Sequence, residues 1–246
     1  MMTQQNALND MDFELKSIAD WSFFRLPGLE KSGIVHGFCT GSSPSNLLHE
    51  EIQRRFLDAF SLNNLVTLNQ EHGDTVHVIS NGQKPSSGDG LIILEENVAG
   101  IIKTADCLPV IVCDALYPMA SIIHAGWRGT MKRIVRQTVL AMEQLGSRKE
   151  NMVALLGPSI GPCCYEIKDD VHTIFIENGF PDHIFPKKGN SLFLDLKQAN
   201  AWMLREDGIN KIYDFDMCTH CNDDLFHSFR RGDKGKRQIS FVSLMG

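Results

Sequence analysis

The sequence lacks the features of exported, membrane-spanning and nucleic-acid-binding proteins. Its first twenty residues have neither the basic region nor the apolar stretch of a secretory signal. Its longest apolar runs, such as PVIVC and VALLG, are much shorter than the about 20 residues that cross a bilayer. A net charge of −6 gives no general attraction to nucleic acid or to an anionic membrane. We therefore expect a cytoplasmic protein whose partner is a small molecule.

The chain also has no internal repeat and no low-complexity linker. The stretches TGSSPSN and GQKPSSGDG have only the length of loops. The seven cysteines are an odd number in a long chain without an export signal, which favours reduced thiols over a disulfide framework. We therefore predict a single domain over residues 1–246, in which residues 1–20 are a polar N-terminal extension.

The order of the predicted elements indicates an α+β fold. About ten short segments rich in β-branched residues, from GIVHGF to ISFVSL, predict strands. Apolar spacing predicts helices over residues 48–60, over 130–145 with Thr130 as the N-cap, over 166–178, and from Asp195 through Trp202. Several strands follow one another without an intervening helix, so strict alternation is excluded. We expect mixed β-sheets packed together and flanked by helices.

Three metal-ligating side chains stand at the ends of predicted strands. His72 and Cys107 each precede a strand, and His124 ends one. Two imidazoles and one thiolate suit zinc and leave a fourth position for water or substrate, as in catalytic sites. Zinc lowers the pKa of a bound water towards about 7. The wide separation of these residues follows no zinc-finger spacing, so a buried cysteine with two hydrogen-bonded histidines stays an open interpretation.

The glycines beside these residues are a second signal. Gly73, Gly126 and Gly129 remove side chains where a substrate or a second backbone would approach closely. This pattern favours a crowded site over three unrelated side chains.

The series NQEHG, TADCLPV, HAGWRG, GPSIGPCCYEI, CTHCNDDLFHSFRRG and KRQIS resembles the YfiH family, first described as polyphenol oxidases or laccase-like multicopper proteins. The resemblance extends from about residue 34 to the C-terminus. It implies that His72, Cys107 and His124 bind zinc. It also implies phosphorolysis of purine nucleosides such as adenosine, inosine and methylthioadenosine, with adenosine deamination alongside. After IVHGFCT, near residues 41–46, the chain lacks the family's longer Arg- and Gly-rich segment, so we expect an altered pocket wall.

Several neighbouring polar residues are candidates for the remaining chemistry. Arg128 follows the HAG sequence near the start of a predicted helix and could hold phosphate, or could be an exposed arginine. Asp106 and Asp89 are candidates for a proton-carrying carboxylate, although either could cap a turn. Asn69 and Gln70 could read a base edge, orient His72, or satisfy backbone groups.

Other features have two interpretations each. We interpret the Cys163–Cys164 pair as structural or substrate-flanking. The CTHC sequence with His227 resembles a second metal site, but its members lie so close in sequence that we interpret it as a chance cluster. The basic run FRRGDKGKR is expected to be a solvated surface, with Arg230 and Arg231 as weak phosphate candidates.

Three alternatives to a zinc enzyme that acts on nucleosides stay open. A multicopper oxidase would use nearly all of the nine histidines, and no His-x-His pair occurs, so we attribute any copper-dependent oxidation to Cu²⁺ substituting at the zinc site. A cysteine hydrolase would use Cys107 as nucleophile with His72 or His124 on an amide or ester. A non-enzymatic protein would use the metal for structure alone.

Overall fold

The computed structural model describes residues 13–80, 82–83 and 85–246. The strands are β1 (Glu14–Ile18), β2 (Trp21–Arg25), β3 (Ile34–Cys39), β4 (Asn64–Thr67), β5 (Val76–Ile79), β6 (Gly90–Ile93), β7 (Val98–Thr104), β8 (Leu108–Asp114), β9 (Met119–Ala125), β10 (Met152–Leu156), β11 (Glu166–Ile167), β12 (Lys187–Lys188), β13 (Ser191–Phe193), β14 (Lys211–Asp214) and β15 (Gln238–Leu244). The α-helices are α1 (Glu50–Phe60), α2 (Trp127–Met131), α3 (Ile134–Gln144), α4 (Asp169–Glu177) and α5 (Leu196–Glu206).

The strands form two mixed six-stranded sheets and one small sheet. The strand order is β1-β2-β3-β15-β7-β4 in the first sheet and β14-β10-β8-β9-β6-β5 in the second. The small sheet has the order β11-β13-β12. Parallel pairs occur between β4 and β7, between β5 and β6, and between β10 and β14, whereas the other pairs are antiparallel. This confirms the predicted α+β fold with mixed sheets.

The apolar core lies in three layers. Between the two large sheets, Phe38 and Val242 of the first sheet belong to one buried cluster with Ile111 and Ile122 of the second. The outer face of the first sheet packs against α1, and that of the second packs against α3, α4 and α5. Because both of its faces are covered, β8 is buried along its whole length, which explains why its sequence is almost continuously apolar.

The ten predicted strands are all present, and the structure adds five. The added strands are β1, β2, β11, β12 and β14. Because β1 pairs with β2 along its whole length, residues 14–18 of the predicted N-terminal extension belong to the first sheet. The first twelve residues of that predicted extension lie outside the described part of the chain.

The helix predictions need corrections at their boundaries. The segment over residues 130–145 forms two helices, because Arg133 has a left-handed backbone with φ 64° between them. Thr130 is therefore not an N-cap: it lies inside α2, fully buried, and its hydroxyl accepts a hydrogen bond from Asn200 on α5 at 3.0 Å. Asp195 is the N-cap of α5, as predicted. Among the described residues, no helix has the length and apolar character needed to cross a membrane.

Candidate active site

The second sheet brings two of the three predicted ligands together. Cys107 directly precedes β8, and His124 is the second-last residue of the antiparallel neighbour β9, where it pairs with Pro109. His72 comes from the loop between β4 and β5 and has a left-handed backbone with φ 57°. One donor atom from each residue lies within 4.8 Å of the others. Three residues that are distant in sequence therefore form one group that could hold a metal ion.

Asp89 holds two of these residues in place. Its side chain is fully buried, and its Oδ1 lies 2.7 Å from Nδ1 of His124. The same carboxylate accepts the backbone N–H groups of Glu71, His72 and Gly73 at 3.2, 3.0 and 2.7 Å. The contact to Nδ1 leaves Nε2 of His124 available to a metal, which is the arrangement of a carboxylate behind a metal-ligating histidine.

The three side chains strongly perturb one another. Burial by itself raises the pKa of Cys107, but hydrogen bonding and charge from His124 and then His72 outweigh it and lower that pKa to about 6. Burial lowers the pKa of His124, but Asp89 and Cys107 outweigh it and raise that pKa to about 9. The pair therefore favours a thiolate beside an imidazolium, and a metal ion would replace the imidazolium proton as the countercharge.

The structure shows a close approach at two of the three predicted glycines, Gly126 and Gly129, whereas a Cβ on Gly73 would meet only Oδ2 of Asp89 at 3.4 Å. A Cβ on Gly126 would lie 3.1 Å from Sγ of Cys107 and 3.3 Å from Cδ2 of His72. A Cβ on Gly129 would lie 2.8 Å from the carbonyl oxygen of Gly73. Gly129 is therefore needed where two backbones approach closely, and Gly126 leaves room beside Cys107 and His72.

The three residues open into a cavity of about 880 Å³, a volume that suits a small-molecule ligand. The cationic residues that line it are Lys103, Arg128, Arg230 and Arg237. Its aromatic residues are Trp127, Tyr165 and Phe229. The cavity thus combines a candidate metal group, positive charge and flat apolar surfaces.

Asp106 lines the cavity and organises its wall. Its Oδ1 accepts the hydroxyl of Thr219 at 2.7 Å, and its Oδ2 accepts the backbone N–H of Arg230 at 2.7 Å. Its backbone has a positive φ of 88°, which is rare for a residue other than glycine. Positive φ angles at both His72 and Asp106 place backbone strain at this site.

The cationic candidates take different positions. Arg128 is exposed in the first turn of α2, with its guanidinium 4.3 Å from the centre of the Trp127 ring. Arg230 lies over the Tyr165 ring at 5.3 Å and donates to the carbonyl of Glu166 at 3.2 Å. Arg231 does not line the cavity and instead donates to backbone carbonyls, including that of Thr219 at 2.8 Å.

The two predicted amide candidates also differ. Gln70 forms a pair of 2.8 Å hydrogen bonds with the backbone N–H and carbonyl of Lys103, so its amide satisfies backbone groups. This pairing ties the loop of His72 to β7. Asn69 lines the cavity, with its backbone bonded to Ser86 and Gly88.

Sequence reasoning missed Lys103, Tyr165 and Arg237. Lys103 carried a signal in the sequence, because it is a single charge near the end of the apolar run GIIKT. In the structure, burial lowers the pKa of Lys103. Tyr165 and Arg237 lie in the family motifs GPSIGPCCYEI and KRQIS, but the sequence does not show that these two side chains face the site.

The late cysteines group differently from the predicted chance cluster. Cys218 and Cys221 lie together with Cys163 and Cys164, and one sulfur from each falls within 4.8 Å of the others. His227 is not part of this group, and its ring lies against Gly41.

The fold and the His72–Cys107–His124 group define an α+β protein with two packed six-stranded sheets and a candidate mononuclear metal centre. The chain belongs to the family described as multi-copper polyphenol oxidoreductase laccase, whose model matches residues 36–245. This confirms the predicted family. The two groups of described residues that could hold a metal contain only two histidines between them, which does not supply a trinuclear copper cluster.

Relatives and solved structures agree with this assignment. The chain is 32% identical over 177 residues to a purine nucleoside phosphorylase from Aquifex aeolicus, covering 72% of this chain and 81% of that protein. It is 29% identical over 236 residues to the purine nucleoside phosphorylase YfiH of Escherichia coli, covering 94% and 95% respectively. The crystal structure of Bacillus licheniformis YfiH superposes with a TM-score of 0.83 at 26% identity, covering 94% of this chain and 98% of that one.

Proposed function

We propose that this protein is a zinc-dependent purine nucleoside phosphorylase that cleaves adenosine, inosine and methylthioadenosine with phosphate, and that it also deaminates adenosine. The observation that carries the proposal is the convergence of His72, Cys107 and His124 within 4.8 Å beside a cavity with a cationic lining. The names of the Aquifex aeolicus and Escherichia coli relatives support an enzyme of this kind.

The donor set fits zinc. Two imidazoles and a thiolate are preferred zinc ligands, and three protein ligands leave a position for substrate or water. When bound there, zinc would supply a Lewis acid and an activated water. Asp89 would fix the ring of His124 and, through the backbone of His72, the position of the second ligand.

The cations account for the phosphate substrate. In phosphorolysis a phosphate oxygen bonds to C1′ of the ribose while the bond from C1′ to the purine nitrogen breaks and the base takes up a proton. Arg230 is the best-positioned residue to bind phosphate, because the Tyr165 ring and two backbone carbonyls restrain its guanidinium. Lys103, Arg128 and Arg237 add positive charge around the same cavity.

The remaining lining accounts for the purine. Trp127, Tyr165 and Phe229 offer flat surfaces against which a base can stack. Asp106 is the sole carboxylate among the described lining residues, so we assign proton transfer in deamination to it. Each of its oxygens accepts one hydrogen bond and keeps a second lone pair for this purpose.

One observation favours a second candidate, a cysteine hydrolase. His124 lies between Cys107 and Asp89, so the three residues are arranged as a nucleophile, a base and a carboxylate that orients the base. The pKa of Cys107 is also lowered to about 6. The zinc enzyme is the better interpretation because His72 completes a ligand set that a hydrolase does not need.

The deciding experiment separates products and metal dependence. Purified protein is incubated with adenosine and phosphate, and adenine, inosine, hypoxanthine and ribose 1-phosphate are resolved. We expect adenine and ribose 1-phosphate to form only with phosphate, inosine to form without it, and all products to be lost after chelation and restored by zinc.

Two variants complete the test. Cys107→Ser is expected to abolish turnover with the chain still folded. Cys113→Ser is the matched control, because Cys113 lies on β8 outside the site and its hydrogen bond to the Val153 carbonyl can be kept by serine. An esterase or amidase activity that chelation does not affect, and that is lost in Cys107→Ser, would instead show that the protein is a cysteine hydrolase.

A further inference from the structure

A group of four cysteines lies beside the cavity wall, on two segments that are distant in sequence. Cys163 and Cys164 follow β10 in the turn GPCC, and Cys218 and Cys221 follow β14 in CTHC. Sγ of Cys221 lies 3.6 Å from that of Cys163 and 3.3 Å from that of Cys164. With Cys218 included, all four sulfurs lie within 4.8 Å of one another.

We propose that Cys163, Cys164, Cys218 and Cys221 bind a second, structural zinc ion. In a tetrahedral zinc site with Zn–S bonds of about 2.3 Å, neighbouring sulfurs are about 3.8 Å apart. The separations of 3.6 and 3.3 Å from Cys221 lie within about 0.5 Å of this value, and no two of the four sulfurs are more than 4.8 Å apart. Four thiolates leave no open position, so the site is structural and separate from the three-ligand group. This inference does not depend on the proposed reaction.

The backbone around Cys218 supports a metal-bound thiolate. The N–H of Gly161 donates to Sγ of Cys218 at 3.2 Å. Such donors stabilise negative charge on a ligating sulfur. Glycine at position 161 leaves room for this approach, because a Cβ there would lie 3.2 Å from Sγ of Cys163 and 3.3 Å from Cβ of Cys218.

The position of the cluster indicates a structural role for the ion. It would join the segment that carries Ile160 and Tyr165 to the segment that leads to Arg230, and all three residues line the cavity. Among the described residues, hydrogen bonds also connect these segments, including the 3.0 Å bond from the N–H of Thr219 to the carbonyl of Ser159 and the bond from Arg230 to the carbonyl of Glu166. The ion would therefore hold Tyr165 and Arg230 in their relative positions.

The first experiment isolates this cluster from the other metal group. The variant His72→Ala/Cys107→Ser removes the three-ligand group, and we expect the folded protein to retain one zinc per chain. X-ray absorption at the zinc edge is expected to show a shell of sulfur alone at about 2.3 Å. Absence of zinc, or nitrogen in this shell from His220 or His227, would overturn the assignment.

The complementary variant keeps the three-ligand group. Cys218→Ser/Cys221→Ser is expected to lose one of the two zinc ions per chain, whereas Cys113→Ser is expected to keep both. Because the double variant could unfold, thiol alkylation of wild-type protein provides an independent measurement. The exposed Cys163 and Cys221 are expected to resist alkylation until zinc is removed.

Two results would contradict the proposal in that measurement. One is immediate alkylation of Cys163 and Cys221 in protein that still holds its full zinc content. The other is a disulfide between two of the four cysteines in protein prepared under reducing conditions, detected by mass. Wild-type protein that holds zinc at the four cysteines but turns over no nucleoside would count against the proposed function only, so the two failures are distinguishable.

Discussion

A single buried carboxylate, Asp89, connects the parts of the candidate active site. It accepts hydrogen bonds from three consecutive backbone N–H groups and from His124. These contacts outweigh the effect of burial and lower its pKa, so it stays ionised at neutral pH. Because these bonds fix one ligand through its ring and another through its backbone, ligand geometry depends on this residue.

Asp89→Asn is expected to weaken zinc binding at the three-ligand group by about 10- to 100-fold, the usual effect of removing the partner of a metal-ligating histidine. Both oxygens of Asp89 accept hydrogen bonds, whereas asparagine has only one oxygen. Its NH₂ group would therefore face a donor that the carboxylate accepts. Competition with a chromogenic chelator measures the zinc affinity of the three-ligand group. Zinc bound at the four cysteines is determined separately and subtracted.

Asp114→Asn provides the matched control. Asp114 is also buried and accepts N–H groups of Leu116, Tyr117 and Arg148, together with the Ser147 hydroxyl. It lies at the other end of β8, about 20 Å from Cys107 by strand rise. This control is expected to lower stability without changing zinc affinity. Equal zinc affinities in the two variants would show that Asp89 does not position the ligands.

Among the elements, α5 carries a cavity residue on its first turn. Leu196 lines the cavity, and the preceding Asp195 caps the helix by accepting the N–H of Gln198 at 3.0 Å. The N-terminus of α5 is therefore fixed by a side chain as well as by burial of its apolar face.

Asp195→Ala is expected to lower the free energy of unfolding by about 1 kcal/mol, because a backbone N–H in the first turn loses its partner. Urea unfolding at neutral pH measures this change. Asp169→Ala is a suitable comparison, because Asp169 lies in the first turn of α4 but its side chain caps nothing. Its loss should cost only about 0.3 kcal/mol, through the helix dipole. Equal losses in both variants would exclude a capping role for Asp195.

The sequence predicts the elements of this fold better than their boundaries. Strands buried on both faces, such as β8 and β9, are visible as apolar runs because burial selects those residues. Strands β1 and β14 are missed, because the first is mostly exposed and the second is only four residues long with an exposed start. The break at Arg133 is missed because a left-handed arginine leaves no compositional signal.

The same limits apply to the candidate site. The three residues of the candidate metal group are predicted because they stand at strand ends and match family motifs. The contact between Cys163–Cys164 and Cys218–Cys221 is not predictable, because it depends on how β10 and β14 pair in the second sheet. Neighbours in sequence are visible in a single sequence, and neighbours across a sheet are not.

At the scale of the whole molecule, the core between the two sheets contains a histidine. His36 lies between Ile34 and Phe38 on β3, so all three side chains face the second sheet, and His36 is 2% exposed. Its Nε2 accepts the backbone N–H of Leu26 at 2.9 Å. Burial, with a smaller effect of Arg25, lowers the pKa of His36 from 6.5 to about 4.

This shift predicts acid destabilisation of the sandwich. Between pH 6.5 and pH 4 the unfolded chain binds a proton at His36 that the folded chain does not, so the stability present above pH 6.5 is lost as the pH falls. The loss attributable to this residue between pH 7 and pH 5 is about 2 kcal/mol. In His36→Gln, whose amide oxygen can still accept the Leu26 N–H, the decrease in unfolding free energy over this range should be smaller by that amount. Urea unfolding at both pH values measures it, with the exposed His49→Gln as control. If both variants lose stability as steeply as the wild-type protein, the acid sensitivity arises outside the inter-sheet core.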